Sequence, residues 1–317
     1  MEILVTGGAG FIGSHLTEKL LERGDKVVVI DNLNDYYNPR IKEQNLAKAM
    51  RSTNMSFIKG DILDMKLIQK IFDSNSFDII VHLAARAGVR PSLEQPLLYE
   101  EVNCKGTMNL LEMARRHQIK RFVFASSSSV YGNVKETPFR EDARIDKPIS
   151  PYAATKAAGE LYCFNYHHLF GISCNVLRFF TAYGPRQRPD MAIHKFTTLI
   201  DQGREIPFFG DGSTARDYTF YTDIINGVTA AIDRDLGFEI FNLGESRTTM
   251  LSKLLEIIEQ ELGKKAIKNN LPIQPGDVEI TCADVSKAKR LLDYNPSTTI
   301  EDGVHRFIEW YKSSSRS

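Results

Sequence analysis

The first residues of the chain contain a glycine-rich turn that strongly constrains the fold. A short apolar segment, Glu2–Thr6, leads directly into TGGAGFIG, in which Gly7, Gly10 and Gly13 recur at every third position. A strand that turns tightly into a helix needs glycine wherever a Cβ atom would block the turn or the packing of helix on strand. The pattern therefore predicts a strand, a tight turn and a closely packed helix.

Short apolar runs and amphipathic stretches alternate through the first half of the chain. The predicted strands are Glu2–Thr6, Lys26–Ile30, Met55–Lys59, Ile79–Leu83, Arg121–Ala125 and Cys174–Arg178. The predicted helices are Gly10–Glu22, Lys66–Ser74, Val102–His117 and Tyr152–Phe170. Such alternation is typical of a parallel sheet with helices on both faces. We therefore predict an α/β fold built on a doubly wound, Rossmann-type parallel sheet.

The alternation stops near residue 180, where short segments rich in glycine and proline replace it. Two further helices are predicted at Met250–Leu262 and Ile300–Lys312. We predict a Rossmann domain of residues 1–179, to which segments at about 215–250 return. Residues 180–317 would form most of a smaller, mixed α/β lobe that binds the substrate.

The composition argues against several classes of binding partner. Lys plus Arg and Asp plus Glu number 40 each, so the net charge gives no general attraction to nucleic acid or to an anionic membrane. No apolar run approaches the roughly 20 residues of a membrane span. The four cysteines contain no C-x-x-C pair, and no carboxylate–histidine grouping indicates a metal. We expect a cytoplasmic protein with reduced thiols, without nucleic-acid, membrane or metal binding.

The glycine turn also predicts a dinucleotide site. The N-terminus of the following helix offers unpaired N–H groups to a pyrophosphate. Asp31 follows about twenty residues later, where a carboxylate accepts hydrogen bonds from a ribose and repels a 2′-phosphate, which favours NAD over NADP. Asp61 is expected to be an adenine contact, a helix N-cap or both. The predicted cofactor-binding residues are Gly7, Gly10, Phe11, Ile12, Gly13, Asp31, Asn32, Asp61, Ile62, Leu83, Ala84, Ala85, Asn103, Tyr152 and Lys156.

A candidate acid–base group stands in SPYAATKAAGE. Tyr152 and Lys156 are four residues apart and so share one face of the predicted helix. A nearby ammonium and a positive nicotinamide ring are expected to lower the pKa of the phenol, which then accepts a proton from a sugar hydroxyl. Upstream, a strand ends in the hydroxyl cluster FVFASSSSVYG, and Ser127 or a neighbouring serine is expected to complete the site.

These segments together resemble one family. TGGAGFIG, DNLNDYYN, HLAA, SSSSVYG, YAATK and RFFTAYGPRQRPDMA are similar to motifs of the extended short-chain dehydrogenases, and within them of the UDP-glucuronate 4-epimerases. The resemblance implies NAD-dependent C4 epimerisation of UDP-glucuronate to UDP-galacturonate through a 4-keto intermediate. It implies that Tyr152 is the base, Lys156 its electrostatic partner and Ser127 the assisting hydroxyl. It also implies that Asn103 supports the lysine.

A nucleotide sugar with a carboxylate needs cationic partners and several hydrogen-bond donors, and arginine suits both the diphosphate and the carboxylate. By resemblance, Arg216 approaches the diphosphate, Thr181 and Arg188 lie near the sugar, and Asp277 bonds a ribose of the UDP. Ser128 and Ser129 offer donors to the carboxylate. We rank Arg188 and Arg216 above three other candidates, Arg86, Arg90 and Arg186, and retain Arg90 among the predicted substrate-binding residues. The resemblance further implies a homodimer formed through the helices Val102–His117 and Tyr152–Phe170.

Other functions stay open at this point. Dehydratases of the superfamily carry an Asp–Glu pair in the segment that here reads SSSSVYG, and UDP-glucuronate decarboxylases carry a glutamate where Ser129 stands. Epimerisation of a neutral UDP-hexose or N-acetylhexosamine, or decarboxylation of UDP-glucuronate, are the alternative reactions. A nicotinamide-sensing protein without catalysis is disfavoured by the intact set of Tyr152, Lys156 and Ser127.

Overall fold

The computed structural model describes residues 1–272 and 278–314. In this part of the chain the strands are β1 (Glu2–Thr6), β2 (Lys26–Asp31), β3 (Met55–Lys59), β4 (Ile79–His82), β5 (Arg121–Ser127), β6 (Ser173–Phe179), β7 (Thr181–Tyr183), β8 (Glu205–Phe209), β9 (Ala215–Arg216), β10 (Tyr218–Phe220), β11 (Phe238–Leu243), β12 (Thr249–Met250) and β13 (Ile267–Leu271).

The helices of the same part of the chain are α1 (Phe11–Glu22), α2 (Pro39–Leu46), α3 (Met65–Asp73), α4 (Val89–Glu94), α5 (Pro96–Glu100), α6 (Gly106–Arg116), α7 (Pro151–Phe170), α8 (Ala192–Asp201), α9 (Tyr221–Asp233), α10 (Leu251–Leu262), α11 (Ser286–Leu292) and α12 (Ile300–Ser314). A π-helical turn, Glu101–Lys105, joins α5 to α6. Short 3₁₀ turns occupy Ala49–Arg51 and Ser128–Tyr131.

The central sheet confirms the predicted fold class. Among the described residues it has seven strands in the order β11-β6-β5-β4-β1-β2-β3, and all neighbours run parallel. The apolar strands are buried on both faces, as in β2, where Val27 to Ile30 are all buried. The chain order reverses between β1 and β4. Ligands of open α/β sheets bind at the carboxyl ends of the strands next to such a reversal.

Apolar side chains from helices cover both faces of the sheet. Residues of α1, α9 and α11 pack on one face, and residues of α3, α6 and α7 pack on the other. A separate apolar cluster joins α8, β8, α10 and α12 beside the sheet and includes Ile193, Leu254 and Phe307. The chain leaves the sheet after β6, builds part of this cluster, and returns through α9 and β11.

Local signals explain where the long helix α7 begins and ends. The hydroxyl of Ser150 accepts a hydrogen bond from the amide of Ala153 (3.1 Å), and Pro151 occupies the first helical turn. The helix ends at Gly171, which adopts a left-handed conformation with φ +67°. Tyr152 therefore lies in the first turn of α7, beside the carboxyl end of β5.

Candidate active site

A long cavity follows the carboxyl ends of the central strands, from the turn between β1 and α1 to the first turn of α7. Its walls include most of the residues that the sequence predicts for a site. These are Gly7, Gly10, Phe11, Ile12, Gly13, Asp31, Asn32, Asp61, Ile62, Leu83, Ala84, Ala85, Ser127, Ser128, Ser129, Tyr152, Lys156, Thr181 and Arg188. Residues from distant parts of the chain thus meet in one continuous space.

The turn at one end of the cavity requires glycine for steric reasons. Gly7 has φ +72°, and a Cβ atom there would lie 2.7 Å from the backbone nitrogen of Ala84. A Cβ atom on Gly13 would collide with the carbonyl oxygen of Gly7. Gly10 precedes α1 without a side-chain cap, so the first N–H groups of α1 face the cavity without competition from a capping side chain. This backbone arrangement fits a pyrophosphate.

Two carboxylates stand beside this turn. Asp31 accepts hydrogen bonds from the amides of Ala9 (3.1 Å) and Leu33 (2.9 Å). Asp61 accepts hydrogen bonds from the Asn32 side chain (2.7 Å) and the Leu63 amide (2.9 Å). The helix-cap alternative for Asp61 is wrong, because Asp64 caps α3 instead.

The serine cluster at the other end of the cavity has a defined register. The buried hydroxyl of Ser126 donates to Glu160, which is also bound by Arg178, so Ser126 faces away from the cavity centre. The Oγ of Ser127 accepts hydrogen bonds from the amide (3.2 Å) and hydroxyl (2.9 Å) of Ser129. Its own hydrogen is available to the phenol of Tyr152, and hydrogen bonding from Ser127 acts to lower the pKa of that phenol. Ser127 is therefore the serine of this cluster that acts on Tyr152.

Burial and nearby groups act on the pKa of Tyr152 in opposite directions. Burial raises the pKa of the phenol, while the hydrogen bond from Ser127 and the charge of Arg188 oppose that rise without reversing it. The ammonium of Lys156 donates to the carbonyl of Ala125 (2.7 Å), and burial lowers the pKa of Lys156 to about 8. Within the protein alone, desolvation outweighs these groups, and the predicted lowering, which also needs the charge of the nicotinamide ring, stays a prediction.

Asn103 lies outside the cavity walls. Its side chain accepts from the amide of Arg86 (2.8 Å) and donates to the carbonyl of Arg86 (3.0 Å) and to Thr155 Oγ1 (3.0 Å). It therefore ties the loop after β4 to the first turns of α7. Its predicted contact with a cofactor does not follow from this placement, since the backbone of Arg86 and the hydroxyl of Thr155 take its hydrogen bonds.

The predicted substrate-binding arginines line two different cavities. Arg188 lines the long cavity and forms a bidentate pair with Asp190 (2.9 and 2.8 Å). Arg90 and Arg216 line an adjoining cavity, and Thr181 lines both. Arg90 lies 4.2 Å above the ring of Phe209, which belongs to β8. Asp277 falls outside the described residues.

Sequence reasoning assigned no role to several residues around Tyr152. The ring of Tyr99 meets Tyr152 edge-on with centroids 6.2 Å apart, and its hydroxyl donates to the carbonyl of Ala87 (2.8 Å). Tyr36 lies under the guanidinium of Arg188 at 5.3 Å. The DNLNDYYN segment was the available signal for Tyr36. The sequence alone, however, does not indicate which of the two tyrosine rings in this segment faces the site.

Residues 1–272 and 278–314 contain neither a cluster of metal ligands nor a membrane-spanning helix. No group of three or more His, Cys, Asp or Glu side chains there could hold a metal ion. In the same ranges, no helix has both the length and the apolar character needed to cross a bilayer.

The whole chain is similar to known proteins. The family model described as GDP-mannose 4,6 dehydratase matches residues 4–307. A UDP-glucuronate 4-epimerase of Thermodesulfobacterium geofontis is 44% identical over 312 residues, covering 98% of this chain and 96% of that protein. A UDP-glucuronate 4-epimerase of Arabidopsis thaliana is 42% identical over 98% of this chain and 75% of its own length.

The structure of UDP-glucuronic acid 4-epimerase from Bacillus cereus, in complex with UDP-glucuronic acid and NAD, is also similar. It matches with a TM-score of 0.93 at 37% identity and covers 99% of this chain and 100% of that chain. The similarity therefore includes both the central sheet and the lobe beside it.

Proposed function

We propose, because the chain belongs to the extended short-chain dehydrogenases that include the UDP-glucuronate 4-epimerases, that it interconverts UDP-glucuronate and UDP-galacturonate by NAD-dependent epimerisation at C4. The observation that carries this proposal is that Ser127 and Tyr152 line the end of the same cavity that begins at the glycine turn. A proton-transfer group thus stands in the same space as a dinucleotide-binding turn.

The cavity fits NAD by its own chemistry. A backbone turn in which Cβ atoms at Gly7 and Gly13 would collide leaves room for a pyrophosphate to approach closely. Asp31 presents a carboxylate at the end of β2, which suits ribose hydroxyls and opposes a 2′-phosphate. When bound, NAD⁺ supplies the capacity to accept a hydride from the sugar and return it.

The side chains at the far end supply positioning and proton transfer. The phenolate of Tyr152 accepts the proton of the C4 hydroxyl, and Ser127 stabilises that phenolate by donating a hydrogen bond. Lys156, fixed on Ala125, places a cation under this end of the cavity. Tyr152 returns the proton after the 4-keto sugar has rotated and presents its opposite face.

The substrate is proposed to extend from the long cavity into the adjoining one. Ser128, Ser129 and Arg188 face the sugar and its carboxylate, because they line the long cavity next to Tyr152. Arg90 and Arg216 line the adjoining cavity and suit a diphosphate. Residues of the second cavity anchor the UDP while the sugar rotates. By this division, residues 1–179 bind NAD, with later segments completing the sheet, and residues 180–317 mainly bind the UDP-sugar.

Two further properties are proposed for the whole protein. It forms a homodimer through the helical stretches 102–117 and 152–170, and the second of these carries the exposed apolar side chains Leu161 and Phe164. It resides in the cytoplasm, where its four free cysteines stay reduced.

The Tyr152→Phe variant tests the proposed chemistry. It keeps the ring that packs against Tyr99 and removes only the hydroxyl, so we expect the rate with UDP-glucuronate to fall by about 10³-fold with an unchanged melting temperature. Tyr162→Phe is the matched control, since it removes a phenol from α7 outside the cavity and should keep its activity. Activity of Tyr152→Phe near that of the control would remove Tyr152 from its role as the base.

A further inference from the structure

The loop that carries Arg188 is attached to α1, the helix that begins at the glycine turn. It spans residues 184–190, between β7 and α8, and reads GPRQRPD. We propose that Arg186 is a positioning residue, whose ion pair with Glu18 of α1 sets the place of Arg188 at the sugar. This inference rests on the proposed function and adds a residue to it.

The contacts of Arg186 join parts of the chain that are far apart in sequence. Its Nη2 lies 2.7 Å from Glu18 Oε1, and its Nη1 donates to Ser14 Oγ at 3.3 Å. The two charged side chains are 19% and 12% exposed, so the pair is largely shielded from water. An arginine suits this place because separate N–H groups reach the carboxylate and the hydroxyl at once.

A second contact fixes the same loop on the same face of α1. His15 Nε2 lies 2.9 Å from the carbonyl oxygen of Pro185, and the His15 ring lies 3.9 Å from the ring of Tyr221. Ser14, His15 and Glu18 project from adjacent positions of one helical surface. Two successive loop residues are therefore held by a single face of the helix.

The other side of the loop is attached to its own lobe. Gln187 is buried, donates to the carbonyl of Ala182 (3.2 Å), and its own carbonyl lies 2.6 Å from His194 Nδ1. Arg186 itself has φ +65°, a conformation that non-glycine residues rarely adopt. Contacts on both sides thus select a backbone conformation that arginine does not prefer by itself, and Arg188 emerges between them into the cavity.

This geometry links the two ends of the proposed site. The N-terminus of α1 faces the place of the pyrophosphate, and Arg188 faces the place of the sugar. Arg186 joins them through one side chain. Loss of that ion pair is expected to loosen Arg188 relative to α1, and misplacement of a substrate-positioning group weakens productive binding.

The test compares Arg186→Met with Lys48→Met. Lys48 also contacts Glu18 (3.2 Å), but from the exposed surface and without touching the loop. We expect Arg186→Met to raise the KM for UDP-glucuronate about tenfold with a smaller change in kcat, and Lys48→Met to match the wild type. The double variant Arg186→Glu with Glu18→Arg exchanges the two charges and should bring the raised KM at least part of the way back to the wild-type value. Glu18→Gln serves as the second variant if Arg186→Met does not fold.

Wild-type turnover in the same assay separates this inference from the proposed function. An inactive wild type contradicts the proposed function. An active wild type, together with unaltered KM values in Arg186→Met and Glu18→Gln, overturns the positioning role. A lowered melting temperature with normal KM values would also overturn it, because the pair would then serve the fold alone.

Discussion

A cation, Lys156, is buried at the base of the site at a cost in stability. Lys156 is only 4% exposed, and its ammonium is held by the carbonyl of Ala125. Burial lowers its pKa to about 8 from 10.5, a difference that corresponds to roughly 3 kcal/mol of unfavourable charge burial. The hydrogen bond to Ala125 offsets part of this cost. We infer that Lys156 is retained for catalysis although its burial lowers the stability of the fold.

Lys156→Met is therefore expected to inactivate the protein while raising its free energy of unfolding at pH 7 by about 1–2 kcal/mol. Because the pKa of Lys156 is lower in the folded state, the unfolded chain binds more protons between pH 8 and 10.5. The wild type should thus gain stability relative to the variant as the pH rises through that window. Denaturant unfolding of both proteins, stripped of nucleotide, at pH 7 and 9 measures this, and an unchanged difference would contradict it.

A 4-keto sugar acid is a β-keto acid, which loses carbon dioxide without further help, and we propose that the serine cluster opposes this loss. We expect Ser128 and Ser129 to hold the carboxylate out of alignment with the keto group. Ser128→Ala and Ser129→Ala should then release more UDP-pentose than the wild type, measured by chromatography of the products. The absence of any increase in both variants would contradict this role.

At the residue level, the sequence identified Tyr152 and Lys156 because their spacing is local. It left open which of four identical serines assists, since that choice depends on Glu160 and Arg178, which lie far away in sequence. Arg186 appeared as one of several candidate substrate arginines for the same reason. Its partners on α1 are about 170 residues away, so no local pattern indicates them.

At the level of elements, the alternating pattern in the first half of the chain predicted all six strands there, and each predicted end lies within two residues of the observed one. The seventh strand, β11, was missed because Glu239 and Asn242 interrupt its apolar pattern. Both have tertiary partners: Glu239 pairs with Lys287, and Asn242 accepts from Tyr131. The π-helical turn Glu101–Lys105 overlaps the stretch from Val102 that was predicted as ordinary helix, because the sequence pattern does not separate the two kinds of turn.

The proposed dimer depends on apolar side chains that α7 exposes on its surface. Leu161 and Phe164 of α7 are 65% and 50% exposed and lie three residues apart on one helix, and contiguous exposed apolar surface marks interaction sites. Phe164→Asp should weaken a two-fold dimer about a hundredfold or more, because each change occurs twice in such an interface. Sedimentation velocity measures this, with Met50→Asp as a control on a distant exposed site. A monomeric wild type, or a dimer that survives Phe164→Asp, would contradict the proposal.

For the whole molecule, the glycine turn and the alternating pattern predicted a parallel sheet, and its seven described strands are parallel. The lobe beside it was predicted only in outline, because its short strands pair across long stretches of chain. Strand β13 pairs with β8, and β12 with β9. Such pairings depend on packing rather than on local pattern. The site itself exists only where these two parts meet.

The most direct test of the proposed reaction is NMR analysis of the product formed from UDP-glucuronate in D₂O, without added cofactor. The hydrogen that leaves C4 should return to the same carbon inside the cavity. We therefore predict UDP-galacturonate that carries ordinary hydrogen at both C4 and C5. Deuterium at either carbon, or UDP-xylose as the main product, would contradict epimerisation at C4 by an enclosed hydride return.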